Sequence, residues 1–194
     1  GTANINYSHK VTSISFRSLN QLFSLRDLRI VGCRKLFSSD VRPELTDEYA
    51  IGAYRFGLRC LRSLYISSSG ITGKWLSLML QHAQILKELC LNDCPQFTQL
   101  QIEEEENSQP NFISAPETSS SWGPDGLLCI PLNLTSSLEK IAISRSPYLR
   151  FYGKKEDFAG FTSLQELIID DVLGCSHPWC IMTEMMSRQK EHGF

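Results

Sequence analysis

Apolar residues recur along this chain at a fixed spacing. The string L-x-x-L-x-L/I-x-x-C/N, allowing close replacements, occurs five times. Its key positions are Leu25, Leu28, Ile30 and Cys33; Leu61, Leu64, Ile66 and Ser69; and Leu86, Leu89, Leu91 and Cys94. The last two copies run through Leu138, Ile141, Ile143 and Ser146, then Leu164, Leu167, Ile169 and Val172. In four of them a further apolar residue follows: Leu36, Ile71, Phe97 and Leu149. The last three positions of L-x-x-L-x-L alternate as a strand does, so two apolar side chains point inward and the residue between them points out. The Cys or Ser that follows is a turn residue, whose small polar side chain can bond free backbone groups. That role makes Cys33 and Cys94 structural, not reactive.

The copies begin at residues 25, 61, 86, 138 and 164, giving intervals of 36, 25, 52 and 26. Intervals of 25 and 26 lie within the range of about 20–29 residues for leucine-rich repeats. Because 52 is twice 26, a degenerate copy is expected between residues 110 and 135, with Leu128-Cys-Ile130 as its remnant. The interval of 36 implies an inserted segment around Asp40–Gly57, and a weaker copy at Val11, Ile14 and Phe16 precedes the series. Gly73–Leu89 carries apolar residues at helical spacing among good helix formers, which predicts a helix on the return path. The stretch 101–126 joins the acidic run Glu103–Glu106 to Pro, Ser and Gly, a composition that predicts an exposed, flexible insertion.

One such unit cannot bury its apolar edge alone, whereas stacked units pair their strands into a parallel sheet over a shared core. The sequence therefore predicts an α/β leucine-rich-repeat solenoid, or horseshoe, of six or seven repeats. Short parallel strands would line the concave face, with irregular loops or short helices on the convex face. The repeat domain would span 1–172, and 173–194 would form a C-terminal tail.

The wording of two copies is more specific. Residues 134–149 (LTSSLEKIAISRSPYL) and 161–171 (FTSLQELIIDD) resemble the C-terminal repeats of plant nucleotide-binding leucine-rich-repeat immune receptors, in the style of cereal blast-resistance proteins. The resemblance covers about residues 11–172. It implies a cytoplasmic or nuclear recognition module that senses a pathogen effector or a guarded host protein. It further implies that the module restrains the receptor's nucleotide-binding domain through an intramolecular contact. Two departures accompany it: Val172 stands where that family has Cys, and no G-x-x-x-x-G-K-[ST] loop occurs. Gly70, Gly73 and Lys74 have the wrong spacing for such a loop, so any nucleotide switch lies outside this chain, which is not read as an enzyme. The alternative is a leucine-rich-repeat substrate receptor of a ubiquitin ligase, which would carry an F-box helix upstream in place of the nucleotide-binding domain.

Composition narrows the partners. With 42% hydrophobic and 21% charged residues and a formal net charge of -2, the chain gives no reason to expect nucleic-acid affinity, which needs a clustered basic surface. No apolar run approaches the roughly 20 residues that span a bilayer. The opening residues do not read as a signal peptide, and the chain reads as a piece of something longer. Seven scattered cysteines argue for reduced thiols over a disulfide framework. The triplets at Asn6 and Asn133 that match glycosylation sequons carry little weight without a secretory signal.

Residues between and just after the inward positions should face the concave surface. They are Asp27, Arg29, Ser63, Tyr65, Glu88, Asn92, Asp93, Lys140, Ser144, Arg145, Glu166, Asp170 and Asp171. Apart from the two serines, these are the candidate partner-binding residues, since charged and aromatic side chains commonly anchor interfaces. Cys175, His177, Cys180 and His192 are possible soft metal ligands, but C-x-H-x2-C-x11-H matches no common zinc arrangement. No cofactor is expected. His9, His82, His177 and His192 lie in unrelated settings and suggest no catalytic constellation.

Overall fold

In the computed structural model, residues 1–6, 25–38, 58–103, 126–146, 148–152 and 160–170 are described. Their strands are β1 (Thr2–Asn6), β2 (Asp27–Val31), β3 (Ser63–Ser67), β4 (Glu88–Asn92), β5 (Gln99–Ile102), β6 (Leu127–Ile130), β7 (Lys140–Ser144), β8 (Arg150–Tyr152) and β9 (Glu166–Asp170). Two helices join them, α1 (Gly73–His82) and α2 (Leu132–Ser137). The architecture is mixed α/β, with every strand pair parallel. One sheet has the order β1-β2-β3-β4-β7-β9 and the other β6-β5-β8.

The five motif copies supply β2, β3, β4, β7 and β9, and they stack without a slip. Leu28, Leu64, Leu89, Ile141 and Leu167 occupy one rung position, and Ile30, Ile66, Leu91 and Ile143 the next inward one, with Ile169 in register with Ile143. Between these residues the outward positions alternate, so a slip of one residue would turn the whole apolar set to the other face. Leu64, Ile66, Leu89 and Leu91 are almost wholly buried, as are the downstream Leu36, Ile71, Phe97 and Leu149. Burying a side chain of this size contributes about 1.5–3 kcal/mol. In four of the copies the core extends three residues further back, to Leu58, Ala83, Thr135 and Phe161. The motif as read from the sequence did not include that position.

One expectation about copy number needs correction, and another falls outside the described residues. The strand beside β2 is Thr2–Asn6, with Ala3 opposite Leu28 and Ile5 opposite Ile30. Residues 11–16, proposed as the first copy, lie outside the described residues. The interval of 52 conceals no extra rung in the main sheet, because β4 pairs directly with β7. Leu127–Ile130 instead joins the second sheet, where it pairs with β5 while β5 also pairs with β8. A strand with only two inward apolar residues can serve any parallel edge, and backbone pairing decides which. The start of the 101–126 insertion also moves, since Gln101 and Ile102 belong to β5. The segments around 40–57 and 104–125, like the tail from 171 onward, lie outside the described residues.

Helix α1 is shorter than its spacing suggests. Thr72 caps its start, its hydroxyl accepting from the Trp75 N–H at 3.4 Å. Trp75, Leu76, Met79 and Leu80 face the core. The helix stops at His82 because Leu86 and Leu89 are claimed by the next rung of the sheet. Strand pairing and burial override local helix propensity there.

Four strands, β2, β3, β4 and β7, end in the same bend. Gly32, Ser68, Asp93 and Arg145, one residue past their strands, all have φ between 50° and 69°. Their N–H groups prolong the ladder. Gly32 donates to the Ser67 carbonyl at 2.9 Å, Ser68 to Asn92 at 3.0 Å and Asp93 to Ser144 at 3.0 Å. The next residue holds the bend. Cys33 and Cys94 aim their thiols at carbonyls of the preceding rung, Ile5 at 3.6 Å and Ile66 at 3.9 Å. Ser69 accepts from the Ile71 N–H at 3.2 Å, and Ser146 donates to the Ser144 carbonyl at 3.4 Å. The turn role read from the sequence for these four positions matches these contacts.

Candidate functional site: the outward face of the six-stranded sheet

Strand periodicity sorts the outward residues into three columns running across the rungs. The first holds Thr2, Asp27, Ser63, Glu88, Lys140 and Glu166. The central one holds Asn4, Arg29, Tyr65, Cys90, Ala142 and Ile168, and the third Asn6, Val31, Ser67, Asn92, Ser144 and Asp170. The sequence-predicted candidates on the strands therefore take outward register positions, Asp93 and Arg145 follow at the strand ends on left-handed residues, and Asp171 lies outside the described residues.

Side chains in the outer columns tie neighbouring rungs together. Thr2 donates to Asp27 at 3.3 Å, Ser63 to Glu88 at 3.3 Å, Asn92 to Ser67 at 3.0 Å and Ser68 to Asp93 at 3.1 Å. Lys140 pairs with Glu166 at 3.1 Å, and this hydrogen bond is the main cause that raises the Lys140 pKa above its ordinary value. Both side chains are well exposed, so the pair contributes little to stability. In the central column the Arg29 guanidinium lies 4.1 Å from the centre of the Tyr65 ring, a cation–π contact worth about 0.5–1 kcal/mol at such a surface. It also fixes the ring.

The central column changes character along the sheet. After Arg29 it becomes Tyr65, Cys90, Ala142 and Ile168, an apolar stripe between two polar columns. Ile168 is 40% exposed, and Tyr65 and Cys90 are half-buried. Cys90, Ala142 and Ile168 were missed because the search of outward positions favoured charged and aromatic side chains. Taking the middle residue of L-x-L in every copy would have found all three.

The thiols here are not poised for chemistry. Burial pushes Cys90 upward, and Glu88 and Glu166 add to that shift while Lys140 opposes it. Burial also pushes Cys94 up to about 12 and Cys129 up to about 11. All three stay protonated at neutral pH, and the thiol is a poor nucleophile and ligand. Cys90 and Cys94 point to opposite sides, one on the sheet face and one in the core. The candidate ligands Cys175, His177, Cys180 and His192 lie outside the described residues. Among the described residues no group of three or more His, Cys, Asp or Glu could hold a metal ion. Nor is any described helix long and apolar enough to cross a membrane.

The face can thus offer shape, an apolar centre and fixed polar flanks. Comparison of the chain with protein-family models, curated proteins and solved structures gives no match.

Proposed function

We propose that this chain is a leucine-rich-repeat solenoid whose outward sheet face recognises another protein. Further, its repeat wording makes it the recognition region of a plant nucleotide-binding immune receptor. In that role it would bind a pathogen effector or a guarded host protein and restrain a nucleotide switch located outside this chain. The observation that carries the recognition reading is the unbroken register of five motif copies, with uniform apolar residues on one side and varied ones on the other. Such a stack fixes many side chains in one array without any of them being needed for the core. An apolar stripe between polar columns is also the usual anatomy of a protein interface. Tyr65 and Ile168 would anchor the partner by burial, and Arg29, Glu88 and Lys140 would select it by charge.

A photo-crosslinking residue at Ala142, at the centre of the face, tests this against one at Gln81 on the exposed side of α1. The labelled chains would be incubated with extracts of infected and uninfected leaf. The expected result is a crosslinked protein from position 142 only, after infection only, and lost when Tyr65→Ala and Ile168→Asp are added. Equal crosslinking from position 81 would remove the face from the recognition role. Ubiquitin-ligase components captured in both extracts would move the function to a substrate receptor.

A further inference from the structure

A second surface lies on the rim where the chain enters the strands. The residue just before each strand stacks from rung to rung, giving the series Arg26, Arg62, Lys87, Glu139 and Gln165. The backbone fixes this stacking: the Arg62 N–H donates to the Arg26 carbonyl at 2.7 Å, Lys87 to Arg62 at 2.8 Å and Glu139 to Lys87 at 2.8 Å. Three cations thus occupy consecutive rungs, about 4.8 Å apart. All three are exposed. Like charges on neighbouring strands repel, so this arrangement costs stability unless an anion offsets it.

The rim itself shows what offsets it. Where the next rung supplies a carboxylate, Glu139 takes Lys87 at 2.6 Å. Arg26 and Arg62 have no acidic side-chain partner among the described residues. We infer that this rim docks a short acidic segment of a partner protein, whose carboxylates would take Arg26 and Arg62 as Glu139 takes Lys87. The planar guanidinium fork suits a carboxylate, which it can hold by two parallel hydrogen bonds. A nucleic-acid backbone fits less well, because Arg26 and Arg62 make a site only two rungs long, closed on one side by the Lys87–Glu139 ion pair, which suits a short acidic segment better than a continuous run of phosphates. This surface is separate from the sheet face, and the inference does not depend on the immune-receptor reading.

The test uses the full chain and a fluorescent hexaglutamate peptide, followed by anisotropy at low and high salt. The wild type and a control carrying Arg34→Ser and Lys35→Ser are expected to bind alike, more weakly as salt rises. Arg26→Ser with Arg62→Ser is expected to weaken binding about tenfold, the equivalent of about 1.4 kcal/mol. Its melting temperature should stay level or rise, since a like-charge contact has gone, whereas a merely structural role would lower it. The inference is overturned if the peptide does not bind the wild type, or binds all three proteins equally. Tighter binding of an oligouridylate through the same arginines would also overturn it. So would peptide binding that emerges only after Glu104, Glu105 and Glu106 are changed to Gln, because the chain's own acidic run would then hold the rim.

Discussion

Arg145 has a φ of 52°, a conformation that brings a β-carbon too close to the backbone and costs about 1–2 kcal/mol. Gly32 meets the same requirement in its copy without that cost. Arg145→Gly is therefore expected to raise stability by about 0.5–1 kcal/mol, after allowing for the freedom glycine gains when unfolded. Urea unfolding measures this, and a lower midpoint would mean that the arginine side chain contributes more than the strain removes. Ser68→Gly should gain less, because the hydroxyl bonded to Asp93 is lost with it.

Cys94 makes a pH prediction at the same scale. In the fold its thiol holds its proton up to about 12, against an ordinary value of 9.0. Above pH 9 the unfolded chain therefore binds fewer protons than the folded one, and stability falls as pH rises. It is fully present below pH 9 and lost progressively towards pH 12, with Cys129 acting in the same direction. Since Ser69 and Ser146 occupy the equivalent position, Cys94→Ser should still fold. Its unfolding midpoint should fall less between pH 7 and pH 10 than that of the wild type. An equal fall in both proteins would assign the alkaline loss to other groups.

Between elements, the contact of α1 with β6 rests on two small residues. A β-carbon on Gly73 would meet the Leu127 backbone, so only glycine lets the helix start approach so closely. One turn on, the buried Ser77 hydroxyl accepts from the Cys129 N–H at 2.8 Å and donates to the Leu127 carbonyl at 3.4 Å. It supplies hydrogen bonds on the side of β6 away from β5. Ser77→Ala is expected to cost about 1–3 kcal/mol, the range for leaving a buried donor unpaired. Amide hydrogen exchange at Cys129 should quicken, while the amides of β3 and β4 keep their protection. Unchanged exchange at Cys129 would show that water or another group replaces the hydroxyl.

At the scale of the whole molecule, the main sheet runs from β4 straight to β7 although 47 residues separate Asn92 from Lys140 in the chain. The intervening segment contributes β5 and β6, which run parallel in the second sheet, and re-enters the main sheet after α2. Replacing residues 104–125 with a Gly/Ser linker of about a dozen residues, long enough for a parallel crossover, is expected to leave the melting temperature within a few degrees. Loop shortening changes closure entropy only slowly with length. A large loss of stability would mean that the replaced residues help to cover the core.

Much of this was legible in the sequence because an alternating apolar pattern has one workable direction of burial. Leu28, Ile30 and their counterparts had to turn inward, and so Asp27, Arg29, Ser63 and Tyr65 had to turn out. The bend after four of the strands was legible as well, since a small polar residue recurs there at a fixed offset. What the sequence could not carry was the choice of neighbour. Thr2–Asn6 holds only Ala3 and Ile5 as inward residues, and Leu127–Ile130 only Leu128 and Ile130. Backbone hydrogen bonds are nearly indifferent to side-chain identity, so only the tertiary packing sent one to the main sheet and the other to β5 beside α1. Arg26 and Arg62 hold the second position of consecutive motif copies, so their stacking was legible in principle; the pairing of β2 with β3 made them direct neighbours although they lie 36 residues apart in the chain.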